Sequence, residues 1–238
     1  MNDTQTLKFG KPNAKLKKMA KKLGLKLSTF TLPAGYTCPG ASDCLAFADR
    51  ITGKVKDGAK TEFRCFMASA EARSPSLRQA VWHNLELIKN ALQNSVADCV
   101  SLIEKSLPKC DVCRVHVGGD YFSKKYLLAW VEVAKRNPQT VFYSYSKSLP
   151  FFEDIALPEN LVLTASRGGK FDNLIDQLNW KKAVVVFSKA EAKKLDLEID
   201  SDDEKAAFGK KDFALLIHGT QPKGSEASKA LQAVKASS

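Results

Sequence analysis

The sequence predicts an α/β fold, and three observations carry that expectation. Six short segments rich in β-branched and aromatic residues, several of them almost continuously apolar, alternate with segments of helical periodicity, the pattern of a parallel sheet covered by helices. The connecting segments are long enough for right-handed crossovers. The polar and glycine-rich tips fall at the ends of the strand segments, which favours a barrel over an open sheet. Together these predict a partial (βα)6 TIM-like barrel with a helical insertion between the first two strands.

Taken in order, residues 1–26 form a basic N-terminal arm or helix, and residues 27–238 a single barrel domain. LKLSTFTLP (25–33) alternates and stops at Pro33 and Gly35, so it reads as the first strand. Residues 41–50 read as a short helix and 52–64 as a hairpin or loop. Ser74 followed by Pro75 is an N-cap and first-turn pair for a helix with Leu77, Val81, Leu85, Ile88 and Leu92 on one face. A second helix, 96–107, stops before Pro108. VCRVHVGGD (112–120) is the next strand, with Arg114 and His116 expected on one face and Cys113 and Val115 on the other. Ser123 caps a helix closed by Asn137 and Pro138. The remaining strand segments are TVFYSYSK, NLVLTASRGG, KAVVVFS and FALLIHGTQ. Helices are expected near 151–157, over 172–178, from Lys189, and over 225–234, with an acidic stretch LEIDSDDE before the last strand.

A composition of 44% hydrophobic and 26% charged residues excludes a disordered chain. No run of eighteen apolar residues and no apolar leader segment occur, so the chain is expected to be soluble, cytoplasmic and without a membrane partner. In a reducing compartment the six cysteines are expected to be ligands, reactive thiols or core residues rather than disulfides. The formal charge is +11, and eight lysines between Lys8 and Lys26 lie in one acid-free stretch. Such a stretch is either a solvated helix or an arm that neutralises nucleic-acid phosphates.

Cys38, Cys44 and Cys65 form the chemical focus: three thiols in one loop-rich stretch after the first strand. A soft, thiolate-rich site with Pro39 and Gly40 beside its first ligand suits an iron–sulfur cluster or zinc. The spacing matches neither zinc-ribbon pairs nor the ferredoxin run, so three unrelated buried thiols explain it equally well. In parallel α/β proteins ligands bind at the carboxyl ends of the strands. Those ends bring Cys38, His116, Asp120, Lys147, Arg167 and His218 to one rim. Gly118 and Gly119 would let a ligand approach the backbone, with Asp120 receiving a cationic group. Arg167 and the glycines after it would receive an anionic one. An unidentified small molecule on that rim is therefore the expected partner. A rival constellation, Cys99, Cys110, Cys113 and His116, has tighter spacing. It would need 110–116 to be a loop, because in a strand Cys113 and His116 point to opposite faces.

LPAGYTCPGASDC, EFRCFMAS, RVHVGGDYFS, FYSYSKSLPFF, LTASRGGKFD and LIHGTQPKGS resemble, in that order, the phage-encoded "gene product 88" family from about Leu32 onward. The cysteines of its motifs match here as Cys38, Cys44 and Cys65, with Cys99, Cys110 and Cys113 outside them. If the chain is phage-encoded, as the resemblance implies, its expected place is the host-cell cytoplasm. A fainter likeness is to radical S-adenosylmethionine enzymes, partial barrels with cluster cysteines after the first strand and a Gly-Gly-Glu-like turn after the second that contacts the cofactor's amino group. Gly118, Gly119 and Asp120 stand at that turn, while the family's C-x3-C-x2-C run is absent. The expectation is thus a 4Fe-4S cluster on Cys38, Cys44 and Cys65, with His116 as fourth ligand and His218 or an exogenous group as alternatives. S-adenosylmethionine is the candidate co-substrate of a radical or other iron–sulfur oxidoreductase chemistry. The alternative is a nucleic-acid-binding or host-interaction protein with a structural metal.

Overall fold

The computed structural model describes residues 5–236. Seven strands form one parallel sheet: β1 (Leu27–Phe30), β4 (Val112–Val115), β5 (Val141–Ser146), β6 (Leu161–Ser166), β7 (Lys182–Val186), β8 (Glu198–Ile199) and β9 (Phe213–Leu216). Their order in the sheet is β1-β4-β5-β6-β7-β9-β8, and every neighbouring pair is parallel. The order advances in one direction from β1 to β9. Among the described residues no pairing joins β8 back to β1, so the sheet is open. The expectation of α/β architecture holds at that level.

Between β1 and β4 lie a two-stranded antiparallel hairpin, β2 (Ala46–Ala48) with β3 (Val55–Asp57), and three helices, α2 (Phe66–Arg73), α3 (Pro75–Asn94) and α4 (Val96–Ser106). The helix expected over 41–50 is instead strand β2, whose partner lies in the segment read as a hairpin. Three residues with no helical period take their structure from a partner, not from local preference. Helix α3 starts as its sequence dictates: the Ser74 hydroxyl accepts from the Leu77 amide, Pro75 fills the first turn, and Val81, Leu85 and Ile88 are buried on one side.

The sheet is covered on both faces. On one, α3, α4 and α5 (Lys124–Arg136) pack Ile88, Ile103, Tyr126 and Trp130 against Phe30, Cys113, Val115 and Phe142. On the other, Val112, Tyr143 and Phe213 meet Met19 of α1 (Ala14–Leu23) and Ala206 and Ala207 of α8 (Glu204–Phe208). Phe30, Phe142 and Phe213 are fully buried, each stabilising the fold by about 1.5–3 kcal/mol.

The basic segment is therefore a docked helix. Asn13 caps it by accepting from the Leu16 amide, Gly24 ends it at a φ of 68°, and Leu16 and Met19 are wholly buried while Lys17, Lys18, Lys21 and Lys22 face solvent. A single 3-10 turn, Leu149–Phe151, replaces the helix expected near 151–157. Three further helices follow: α6 (Asp172–Gln177), α7 (Lys189–Lys194) and α9 (Glu226–Ala236). The acidic stretch contains β8 and opens α8, neither anticipated.

Candidate metal centre

The chain leaves β1 and is tied at once to the end of β4, where the Leu32 amide donates to the Gly118 carbonyl at 2.9 Å. A turn follows in which Thr37 Oγ1 donates to the Pro33 carbonyl and the Ala41 amide to the Cys38 carbonyl. The segment between Cys38 and Cys44 then lies across the carboxyl ends of β5 and β6. Ala41 bridges Gly169, the Asp43 amide donates to Gly168, and the Lys170 amide donates to Gly40. Contact with β5 is closer still: a Cβ on Gly40 would stand 1.9 Å from the Lys147 carbonyl oxygen. Only glycine allows that approach.

Cys65 is brought to the same edge from the other side. The amides of Glu62 and Phe63 donate to the Asp43 carbonyl, Arg64 makes a bidentate pair with Asp57, and the Arg64 amide donates to Gln221 beyond β9. Cys65 then opens α2, the Met67 and Ala68 amides lying near its sulfur without a capping hydrogen bond. Cys65 is thus brought back toward Cys38 and Cys44 over the carboxyl ends of the central strands.

Their electrostatics record the meeting. All three are half-buried. Burial pushes the Cys38 thiol well above its ordinary pKa, and the nearby charges of Asp120, Cys65 and Cys44 push it further. Cys44 is raised by burial and by Asp120, against the opposing charge of Lys147. Cys65 is pushed up to about 11 by burial and by Cys44, against its helix amides. The thiols are protonated at neutral pH, and any metal they take must displace those protons. Among the described residues no group of three or more His, Cys, Asp or Glu side chains is placed to hold a metal ion. Ligands of one zinc, each about 2.3 Å from it, would nearly touch. Cluster thiolates each bind a different iron and stand farther apart. The three sulfurs lie near enough for their charges to raise one another's pKa, but they do not group round one ion.

The remaining predicted residues divide. Asp120 lies beside Cys38 and Cys44 but is turned inward, accepting from the Tyr121 and Lys147 amides and from Ser146 Oγ at 2.7–2.8 Å. Gly118 and Gly119 serve packing: a Cβ on Gly118 would stand 2.0 Å from Met67 Cγ, and one on Gly119, whose φ is 78°, 2.5 Å from Thr37 Oγ1. Lys147 sends its ammonium to Ser166 and to the Arg167 carbonyl. Arg167 pairs with Asp176 at 2.6 Å and lines a cleft of about 220 Å³ with Asp43, Glu62 and Glu191, next to Cys44 in the chain. A cleft of about 620 Å³ lies away from the thiols, around Trp82 and Arg78.

His116 requires a correction. β4 ends at Val115, so the period of two stops there, and the imidazole shares the face of Cys113 and Val115, not that of Arg114. It packs against Phe30 and Tyr121 with Nε2 2.9 Å from Tyr126 Oη. Burial, then Arg114, lowers its pKa to about 3, and its Nδ1 has no hydrogen-bond partner. The same geometry removes the strand argument against the rival constellation. Cys110 and Cys113 lie within hydrogen-bonding reach of each other, but burial alone drives Cys99 up to about 12 and all three are core residues. His218 packs its ring on Phe66, beside Cys65, at 5.3 Å.

Sequence reasoning missed Asp203. It is fully buried, holds a φ of 71°, and receives Arg114, Lys15, Tyr143 and Tyr145 on its two oxygens. Only the DSDDE run hinted at it, and nothing in that run says which carboxylate turns inward.

Architecture and site define an α/β protein with an open parallel sheet whose carboxyl edge carries a cysteine triad. Its motifs extend across almost the whole chain, and the chain belongs to the Gene product 88 family, whose model matches residues 5–236. It is 26% identical over 120 residues to the "Gene 88 protein" of Mycobacterium phage L5, a match covering 48% of this chain and 44% of that one. To the "Gene 88 protein" of Mycobacterium phage D29 it is 24% identical over 123 residues, 48% of this chain and 43% of that one. The chain thus spans less than half the length of the curated relatives it matches. No solved structure matches it.

Proposed function

We propose that this protein binds an iron–sulfur cluster of the 4Fe-4S type through Cys38, Cys44 and Cys65, for redox or radical chemistry on a small molecule. The observation that carries the reading is the return of Cys65 to the loop of Cys38 and Cys44, which brings the three thiols within reach of one another's charge. They lie over the strand ends where α/β proteins place ligands. A strand order that advances without reversal from β1 to β9, with β8 added outside β9, supports reading the sheet as a partial (βα)6 barrel with the thiols at its mouth. His116 meets Tyr126 through Nε2 but leaves Nδ1 without a partner, so the fourth iron would fall to that nitrogen, to His218 or to an exogenous ligand, of which S-adenosylmethionine is one candidate. The cluster would supply an electron; the chain's own residues would hold and orient the small molecule and screen it from water.

Protein purified anaerobically should be brown, with about four irons per chain, as such a cluster requires. Cys38→Ala, Cys44→Ala and Cys65→Ala should each lose the colour, while Cys110→Ala and Cys113→Ala keep it. Colourless protein carrying stoichiometric zinc would overturn the reading. An unchanged electron paramagnetic resonance spectrum on adding S-adenosylmethionine to reduced protein would remove the radical version alone.

A second reading is favoured by the face of α1 that carries Lys17, Lys18, Lys21 and Lys22 outward. Under it the protein binds nucleic acid and the metal is structural. Changing Lys17, Lys18 and Lys21 to Glu leaves Leu16 and Met19 in place. DNA affinity should then collapse, with a shallower salt dependence; absence of binding by the unaltered protein would reject it.

A further inference from the structure

The face of the sheet covered by α1 and α8 changes character along its length. Near the amino ends of the strands it is closed and apolar, with Val112, Tyr143 and Phe213 against Met19. Two residues further along stand Arg114 and Tyr145, and beyond the end of β9 stands His218, which is exposed and within reach of the charges of Lys15, Arg114 and Asp203. Arg114 lies over the Tyr145 ring at 5.0 Å, gives Nη1 to Asp203 at 2.6 Å and Nε to the His116 carbonyl. Lys15 reaches the other Asp203 oxygen at 2.5 Å.

Charges do not balance here. Arg114 and Lys15 both bear on the single carboxylate of Asp203, Asp200 is occupied by backbone amides of α8 and the turn before it, and Lys181 gives its ammonium to the carbonyls of Lys205, Ala206 and Gly209. Two cations thus share one carboxylate in a half-buried place. Excess charge held away from water is costly unless a counter-ion meets it. Among the described residues Arg114 Nη2 and both ring nitrogens of His218 have no hydrogen-bond partner, and Lys15 pairs with Asp203 alone. His218 also links this face to the thiols, since its ring rests on Phe66 and its carbonyl accepts from Gln221, which in turn holds Arg64.

We propose that Arg114, Lys15 and His218 bind the carboxylate or phosphate of a small anionic molecule, placing its other end toward the cysteine edge. Asp203 and the Tyr145 ring are positioning groups that aim the guanidinium. The molecule's role as substrate rests on the cluster reading; its binding does not.

The test uses the full chain at constant pH and ionic strength, following the His218 ring and Arg114 Nε signals by NMR. Inorganic phosphate and sodium acetate are titrated separately against sodium chloride. Saturable movement of both signals with phosphate or acetate, absent with chloride, is expected, and the tighter of the two identifies the anion. Lys15→Gln should weaken that binding by about tenfold, the value of one charge-assisted hydrogen bond, and His218→Gln by less. Signals that follow ionic strength alone, or a titration untouched by Lys15→Gln, overturn the proposal. Iron is counted on the same samples. Cluster-bearing protein that ignores both anions refutes this inference and leaves the cluster reading, whereas iron-free protein that binds phosphate does the reverse.

Discussion

Glu71 offers the sharpest test of how the thiol segment is seated. It lies on α2 with no exposed surface; Oε1 accepts from the Ala34 amide at 2.9 Å, and Oε2 has no partner. Burial raises its pKa to about 7, against that amide and the charge of Arg78. An acid raised from an ordinary value of 4.5 keeps in the folded state a proton that the unfolded chain has released. Stability from this residue is therefore greatest below pH 4.5, falls as pH rises to 7, and is level above. The total loss is about 3 kcal/mol at about 1.4 kcal/mol per pH unit. Urea denaturation of the unaltered protein and of Glu71→Gln, at intervals from pH 4.5 to 8, should show a downward slope in the first that the second lacks. The amide cannot ionise, so any constant cost of burying it leaves the comparison of slopes intact. Parallel curves would refute the assignment of a buried, protonated carboxyl beneath the cysteine loop.

Gly40→Ala sets a Cβ against the Lys147 carbonyl, which cannot move aside, so the Cys38–Cys44 segment must lift; Cys44 should react faster with a thiol reagent while helix content is unchanged. Gly118→Ala collides with Met67, and a double-mutant cycle with Met67→Ala should show coupling of at least about 1 kcal/mol. Asp203→Asn keeps a residue type that tolerates a positive φ but strands Arg114 and Lys15, and should cost about 3–5 kcal/mol in urea denaturation. Ser74→Ala removes the cap of α3 and should cost about 1 kcal/mol by the same measurement.

Elements with local signals were legible without coordinates. Ser74 with Pro75 and Ser123 before Tyr126 mark their helices through hydrogen bonds that close within three residues. The apolar run of β7 and the β-branched and aromatic residues of β5 announce strands. Elements whose reason lies elsewhere in the chain were not. β2 exists because β3 pairs with it, and β8 because β9 supplies an edge. α2 begins at Cys65, which offers no side-chain cap.

The cysteine site divides the same way. That Cys38, Cys44 and Cys65 lie beyond the first strand could be read from the order of the motifs. That they converge depends on Gly40 meeting Lys147, Asp43 meeting Gly168 and Gln221 holding Arg64, contacts between segments far apart in sequence. His116 and Asp203 make the point most directly. A strand's alternation ends with the strand, and a carboxylate's partners are set by whatever folds around it. Local periodicity specifies faces only while the backbone stays regular; ligand sets and buried charge are properties of the assembled chain.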